Sequence, residues 1–572
     1  MTSRLRARPV RRARRPEMAS DPGPADERAL ALARELGSSL TFASWLSRQG
    51  YAAGEGLERW LDPKLAQLTS PEAMLDLPAA VDRIASAIDR QERIAIFGDY
   101  DCDGITSCTI LTEVVRALGG EVHPLVASRF DGGYGFSAPA LTRVKETGAT
   151  LLITCDCGSA DHARLEGARL AGIDSVVIDH HLVPDEALPA VAFLNPHRPE
   201  CGFPYKGLAS CGLALVVASA LRKRMGKLLD LRPWLDLVAV GTIADVAPLT
   251  GDNRALVRRG LEVLSGGERV GLSALAMNGA GGRKRAWSSE DVAFQIAPRI
   301  NAVGRLTHPR AALELLLERD ATRAWEIAGE IEALQKKRRE IQRVMVEEAE
   351  REIAEGAFTD DPGLVLGRQG WHPGIVGIVA GRLASRFRKP TIVVALEGES
   401  GRGSARAPSG FRLHDALTAC RADLVGFGGH QAAAGVEVRA GRLAAFRDAW
   451  NQTCAEQLAT MPPFAAPGAD VRLDERDDLA QVLVDLERLE PCGHQNPAPL
   501  LLIPGAEVLS ARDLKGHLKL ELRVRGQRLS GFAPERGNDS STIVGRTLTL
   551  VGRLKRDHYR GGPLPEILVE SF

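Results

Sequence analysis

Carboxylates and imidazoles gather at four places in this 572-residue chain. The first is Asp99-Tyr100-Asp101-Cys102-Asp103-Gly104, with three Asp at a spacing of two. The others are Cys155-Asp156-Cys157, Asp179-His180-His181 and Ala244-Asp245. Like charges this close repel one another unless cations neutralise them. Hard oxygen ligands joined by one or two imidazoles suit Mn²⁺ or Mg²⁺ better than structural zinc, which prefers closed, thiolate-rich sites. A carboxylate between two such ions can bridge them at about 3.5–4 Å, and the pair then stabilises both oxygens of an in-line displacement at phosphorus. Phosphoester hydrolysis is the reaction class this chemistry implies. The first run is not a calcium loop of the EF-hand kind, because Leu111 or a neighbour falls where that loop needs Glu. Cys155 and Cys157 flank Asp156, but alternation at a strand end turns both sulfurs away from it.

The elements around these residues follow a βαβ pattern. Arg93 to Phe97, Glu121 to Val126, Thr150 to Thr154 and Ser175 to Ile178 read as buried strands, separated by helical stretches such as Ser107 to Leu118 and Ala138 to Thr147. The expected fold class is therefore α/β, with a parallel sheet whose ligands bind beyond the carboxyl ends of its strands. Asp320 can cap a helix running to about Glu355, with apolar residues recurring every three or four positions. At 1.5 Å per residue it spans about 50 Å, enough to join two domains. A second α/β region follows, and Pro462, Pro463, Pro467 and Gly468 mark its end. Five short alternating runs after that, from Leu500 to Val569, predict a small OB-like barrel.

The expected domains are thus a basic, disordered arm over 1–40, a catalytic α/β domain over 41–285, and a phosphate-contacting segment with the long helix over 286–358. A second α/β domain over 359–460 and a nucleic-acid-binding barrel over 465–572 complete the chain. Net charge is zero, from 73 basic and 73 acidic residues, but seven Arg and one Glu in the first eighteen residues leave −6 elsewhere. Nucleic-acid affinity must then come from local clusters. No stretch is apolar and long enough to span a membrane, and nine Cys without a Cys-x-x-Cys pair suit reduced thiols in a cytoplasm.

At these residues the chain resembles the DHH phosphoesterase superfamily, whose name repeats Asp179-His180-His181. The resemblance implies metal ligation by Asp101, Asp103, Asp156, His180 and Asp245, with Asp156 as the bridge between two Mn²⁺ or Mg²⁺ ions, and catalytic or substrate-facing roles for Asp99 and His181. Further runs are similar to the bacterial single-strand exonucleases of that superfamily: Ala297 to Arg305, Gly370 to Gly377, Gly403 to Arg406, Gly428 to His430 and Glu490 to Pro497. From them come candidate phosphate contacts at Arg129, Arg299, Asn301, Arg305, Ser404, Arg406 and Gly429, with His430 as a phosphate ligand or proton donor. Two departures stand out: Ala407 replaces the usual Ser, and the Arg129 to Gly135 loop carries an extra residue.

Phe130, Tyr134 and Trp371 offer base stacking or core packing, and Lys515, His517 and Lys519 are candidate strand contacts on the barrel. The activity the resemblance implies is 5′→3′ exonucleolytic release of mononucleotides from single-stranded DNA in recombination and repair, with a single-strand-binding protein and a helicase as partners. The rival readings are a hydrolase of short oligonucleotides, cyclic dinucleotides or pyrophosphate, against which the barrel argues, and a non-catalytic replication scaffold, against which the intact acidic set argues.

Overall fold

A computed structural model describes residues 21–279, 286–356, 358–429, 431, 433–462, 468–557 and 565–572. His430 and the first twenty residues of the expected arm lie outside the described residues. The chain forms two units, one of residues 64–462 with 493–496, the other of 1–63 with 463–492 and 497–572.

The larger unit starts from strand β1 (Arg93–Gly98), followed by β2 (Glu121–Val126), β3 (Leu151–Cys155), β4 (Asp174–Ile178) and β5 (Ala192–Leu194). They pair in the order β2-β1-β3-β4-β5, every pair parallel. Ile94 and Ile96 enter one core and Ala95 and Phe97 another, so β1 is covered on both faces and reads as an unbroken apolar run. Strand order reverses at β1 and β3, which opens a crevice at their carboxyl ends. The three-residue β5 was too short to leave a periodic signal. The helix after β1, Cys102–Ala117, begins five residues before the expected apolar run. It is buried all round from Cys102 to Val115, so it has no amphipathic face to mark its start.

The long helix spans Ala321–Glu355, and the Asp320 carboxylate accepts the Arg323 N–H at 2.8 Å as its cap. Ala324, Ile327, Ala328 and Ile331 pack into the core beside the first sheet, whereas Met345, Val346, Ala349 and Ile353 belong to a separate core with Leu364, Val376 and Val393. One helix therefore serves two α/β bodies. The second sheet comprises β6 (Leu364–Gln369), β7 (Thr391–Glu397), β8 (Ser400–Arg406), β9 (Gly426–Gly429) and β10 (Ala433–Arg439), in the order β6-β7-β8-β10-β9. Strand β8 is rich in Gly and Ser and carries little strand propensity; pairing with β7 and β10 on its two sides makes it one.

In the other unit β11 (Val471–Arg472), β12 (Leu501–Leu514), β13 (His517–Val524), β14 (Gln527–Ala533), β15 (Thr547–Arg556) and β16 (Pro565–Ser571) close into a barrel through β12 and β15. Helices Glu27–Leu36, Leu40–Arg48 and Glu55–Leu61 share its core, where Phe42, Trp45, Leu46 and Leu57 meet Val482, Leu501, Leu520 and Ile567. Asp485 accepts the Ser39 N–H at 2.7 Å, and Asp477 accepts those of Leu40 and Thr41 at 2.9 and 2.7 Å. The expected boundaries at 40 and 41 are corrected by this packing: residues 27–61 belong to the barrel unit, and the larger unit begins at about residue 64. Periodicity reveals a helix's apolar face but not which distant segment covers it.

Candidate metal centre

The crevice at the ends of β1, β3 and β4 holds the carboxylates. Asp99 follows β1 and is buried, and its own N–H is donated to the Cys155 carbonyl at 3.1 Å. Asp101 caps the next helix, accepting the N–H groups of Asp103 and Gly104 at 3.0 and 3.2 Å. Asp103, in the first turn of that helix and buried, accepts the Ser210 and Cys211 N–H groups at 2.7 and 2.9 Å. These are the first donors of helix Ser210–Arg224, which have no partner within their own helix. Asp245 ends helix Leu235–Ala244.

Asp156 leaves β3 with a φ of 63°, a left-handed conformation that Asp tolerates better than most residues. Its N–H donates to the Ile178 carbonyl at 3.0 Å and its carbonyl accepts the Tyr134 hydroxyl at 3.3 Å. Its side-chain oxygen lies 3.2 Å from His180 Nε2 and accepts the Ser210 hydroxyl at 3.3 Å. Asp179, buried after β4, accepts the N–H groups of His180, His181 and Ser159 and, at 2.7 Å, His181 Nδ1. It therefore orients the His181 imidazole and fixes the backbone that carries His180. Tyr134 also meets His181 Nδ1 at 3.0 Å.

Ligand atoms converge in three overlapping groups: Asp103, His180 and Asp245; Asp99, Asp101 and Asp156; and Asp156, His180 and His181. His180 Nε2 lies 3.9 Å from Asp103 and 3.8 Å from Asp245. Burial, then the neighbouring carboxylates, push Asp99, Asp103 and Asp156 above the usual carboxylate range. Asp245 is pushed up to about 8 by burial and by Asp103 and Asp101. Asp179 behaves oppositely: burial raises its pKa, but the His181 hydrogen bond and charge overcome this and hold it at about 2. Burial lowers the pKa of His181, yet Asp179 holds it at about 9. A cluster of carboxylates this costly to ionise, with oxygen donors and one central imidazole, fits Mn²⁺ or Mg²⁺.

A second cluster carries the opposite sign. The Arg305 guanidinium is pushed down to about 10 by burial and by nearby Arg129, Arg338 and Arg406. Its Nη1 donates to the Gly374 carbonyl at 3.1 Å. Arg129 stacks 4.1 Å from the Tyr100 ring centroid and keeps a buried Nε with no partner. Asn301, one turn before Arg305, has a buried side-chain oxygen without a partner. A Cβ on Gly377, at the start of helix Val376–Phe387, would lie 3.2 Å from both Ser404 Oγ and Arg406 Nη2, so this helix terminus faces both residues. Gly429, at a φ of 140°, brings its backbone too close to Ala433 and Ala434 for any side chain.

Other expected contacts are used by the fold. Arg299 is buried, with Nε on Glu332 at 2.7 Å and Nη1 on the Gln295 carbonyl, so its guanidinium is spent in an ion pair with the long helix. Trp371 is buried and donates to Glu348 at 2.8 Å, the packing alternative of its two readings. Lys519 is paired with Glu566, and His517 accepts the Glu535 N–H at 3.1 Å beside Phe532. Lys515 is exposed at the β12–β13 turn. Sequence reasoning missed Ser159, Asn195, Ser210 and Arg338. Asn195 donates to the His181 carbonyl at 2.9 Å. Ser159 adjoins the second acidic run, but only the fold brings the other three near the site.

Comparison with known proteins supplies independent findings. The profile of the DHH family N-terminal domain matches residues 93–242, that of the DHHA1 domain 360–456, and that of the RecJ OB domain 469–571. The single-stranded-DNA-specific exonuclease RecJ of Bacillus subtilis is 34% identical over 555 residues, covering 96% of this chain and 70% of that protein. Its namesake from Thermus thermophilus is 35% identical over 509 residues, 88% of this chain and 71% of that one. A crystal structure of RecJ in complex with Mn²⁺ from Thermus thermophilus superposes with a TM-score of 0.79 at 30% identity, covering 97% of this chain and 79% of that one. The Mg²⁺ complex gives a TM-score of 0.74 at 28% identity, covering 97% and 78%.

Proposed function

This chain belongs to the RecJ family, and on that premise we propose that it is a metal-dependent exonuclease releasing 5′-mononucleotides from the 5′ end of single-stranded DNA, in recombination and repair. The observation that carries the reading is one body holding both an acidic cluster short of cations and an arginine cluster short of anions. Tyr100 and Tyr134 connect them, one beneath Arg129 and the other against His181.

Asp103, His180 and Asp245 would hold one ion and Asp99, Asp101 and Asp156 the other, with Asp156 standing against His180 between the two sets. Bound divalent cations acidify a water and offset charge on the attacking and leaving oxygens. The protein's own groups do the rest. Asp101 and Asp103 are fixed by backbone N–H groups, so they need not reorganise during the reaction. His181, held by the Asp179 carboxylate through Nδ1, faces the cluster as a proton donor. Arg129, Arg305, Ser404 and Arg406 take the terminal 5′-phosphate through charge-assisted hydrogen bonds, with Asn301 and Gly429 lining the same subsite. An end phosphate captured beside the acidic cluster restricts hydrolysis to a 5′ terminus.

Lys515 lends the barrel a contact to the strand's backbone. A helicase that makes single strands and a protein that coats them are the partners this substrate calls for. A cytoplasmic setting fits them, and among the described residues no helix is long and apolar enough to cross a membrane. The test is a gel of 5′-labelled and 3′-labelled single strands with Mn²⁺. Immediate release of the 5′ label as mononucleotide supports the reading; early release of the 3′ label, or full activity in excess chelator, overturns it.

A further inference from the structure

Two helices carry the Asp103 and Asp245 ligands, and both reach away from the cluster into the protein. Glu113 lies ten residues beyond Asp103 on the first helix, and Asp236 nine residues before Asp245 on the second. At 1.5 Å per residue each sits about 14–15 Å from its ligand. Both carboxylates are buried, and both are held by one guanidinium. Arg269 Nε donates to Asp236 at 2.9 Å, and Nη1 donates to Glu113 at 2.9 Å and to the Leu316 carbonyl at 3.1 Å. Glu113 also accepts the Trp234 indole N–H and an Arg319 N–H, each at 2.7 Å.

At the other end the same two helices nearly touch. A Cβ on Gly241 would fall 2.4 Å from Thr106 Oγ1 and 2.9 Å from Asp103 Oδ1. The pair is thus packed backbone-close at the ligand end and tied by charge at the far end. The ligand set of Asp103, His180 and Asp245 spans this pair, whereas in the other set only Asp101, the cap of the first helix, belongs to it, and Asp99 and Asp156 follow β1 and β3.

We infer that Arg269 is a positioning residue: by tying Glu113 to Asp236 it fixes the separation of Asp103 and Asp245 and so sets the affinity of one metal site far more than that of the other. The inference rests on the two-ion reading above. Once the far tie is gone, a small slide of one rod along the other or a turn about its own axis moves its ligand without unfolding the core, and metal affinity depends steeply on ligand placement.

The test is direct Mn²⁺ binding to the full chain, followed by the electron paramagnetic resonance of free Mn²⁺. Arg269→Met leaves the buried Asp236 without a cation, and Glu113 with Arg319 alone, so it is paired with the triple variant Glu113→Gln/Asp236→Asn/Arg269→Met, and Arg269→Lys serves as the conservative rescue. Wild type should bind two ions. Any folded Arg269→Met or triple variant should bind one ion at least tenfold more weakly and the other much nearer its wild-type affinity, and Arg269→Lys should recover most of the loss. Higher Mn²⁺ should restore turnover, with unchanged KM for DNA. Both ions held as in wild type, or both weakened equally, would overturn the inference while leaving the two-ion reading intact. Wild type binding fewer than two ions would instead sink that reading. If neither Arg269→Met nor the triple variant folds, Asp236→Asn decides, because it cuts the tie while Glu113 keeps Arg269: one ion should be held selectively more weakly, and two unaltered sites there would overturn the inference.

Discussion

The strand-end cluster of the larger unit and the barrel of the smaller one treat charge in opposite ways. On the barrel, Lys519 pairs with Glu566, Arg523 with Glu507, Arg553 with Glu570 and Arg556 with Glu487. At the strand ends Asp99, Asp101, Asp103, Asp156 and Asp245 face one another with two imidazoles and no Lys or Arg ion pair among the described residues. Where a fold cancels its own charges, little remains for a ligand to do. Where it keeps buried charges uncancelled, at an evident cost in carboxylate pKa, the missing partner is the ligand.

The harshest way to break that contrast is to remove the carboxylate shared between the ligand groups. Asp156→Ala should lower turnover by at least about 10²–10³-fold, the scale for losing one preorganised electrostatic group. The barrel's thermal transition should stay in place, as read by near-ultraviolet circular dichroism.

A milder cut tests the cationic cluster. Arg406→Ala should weaken action on 5′-phosphorylated strands by about 1.5–3 kcal/mol, the value of a charge-assisted hydrogen bond, and act little on 5′-hydroxyl strands. Equal losses in kcat/KM on both ends would move Arg406 to the scissile phosphate or to the fold.

The fold's regular parts were legible because buried parallel strands read as bounded apolar runs, and the long helix carried both its cap, Asp320, and its period. The acidic residues were legible because each follows a strand or ends a helix, within a few residues of a recognisable boundary. The arginines were not, since an isolated Arg looks alike in a buried ion pair and in an anion pocket. Arg299 and Arg305 lie six residues apart, yet one serves Glu332 and the other the cationic cluster. The helices at 27–61 were misassigned for a related reason: their apolar face is local, whereas its cover lies beyond residue 470.

The carboxylate pKa values sharpen the contrast further. Asp245, held near 8, is mostly protonated at neutral pH, and a cation binds only after that proton leaves. Mn²⁺ affinity should therefore rise with pH between 6 and 8, by up to about tenfold per unit for each proton displaced, and be accompanied by proton release. Calorimetry in buffers of different ionisation enthalpy measures both; a flat profile from pH 6 to 8 would refute the raised value.

On the barrel the effects should be small and dependent on salt. Lys515→Ala should cost single-strand affinity about two- to fivefold at low salt and reduce the salt slope by about one or less, whereas Lys519→Ala, already neutralised by Glu566, should change binding hardly at all. Truncation has to respect the shared core. Residues 64–462 should be soluble and bind Mn²⁺, but deleting 465–572 alone uncovers Phe42, Trp45 and Leu46 and should yield aggregating protein, as size-exclusion chromatography would show.

The central claim, that the uncancelled carboxylates are a seat for two cations shared through Asp156, is tested most directly by anomalous diffraction from crystals grown with Mn²⁺. The account predicts two peaks about 3.5–4 Å apart, both within bonding distance of Asp156, one of them also meeting Asp103, His180 and Asp245. A single peak, or two peaks that do not share Asp156, would contradict it.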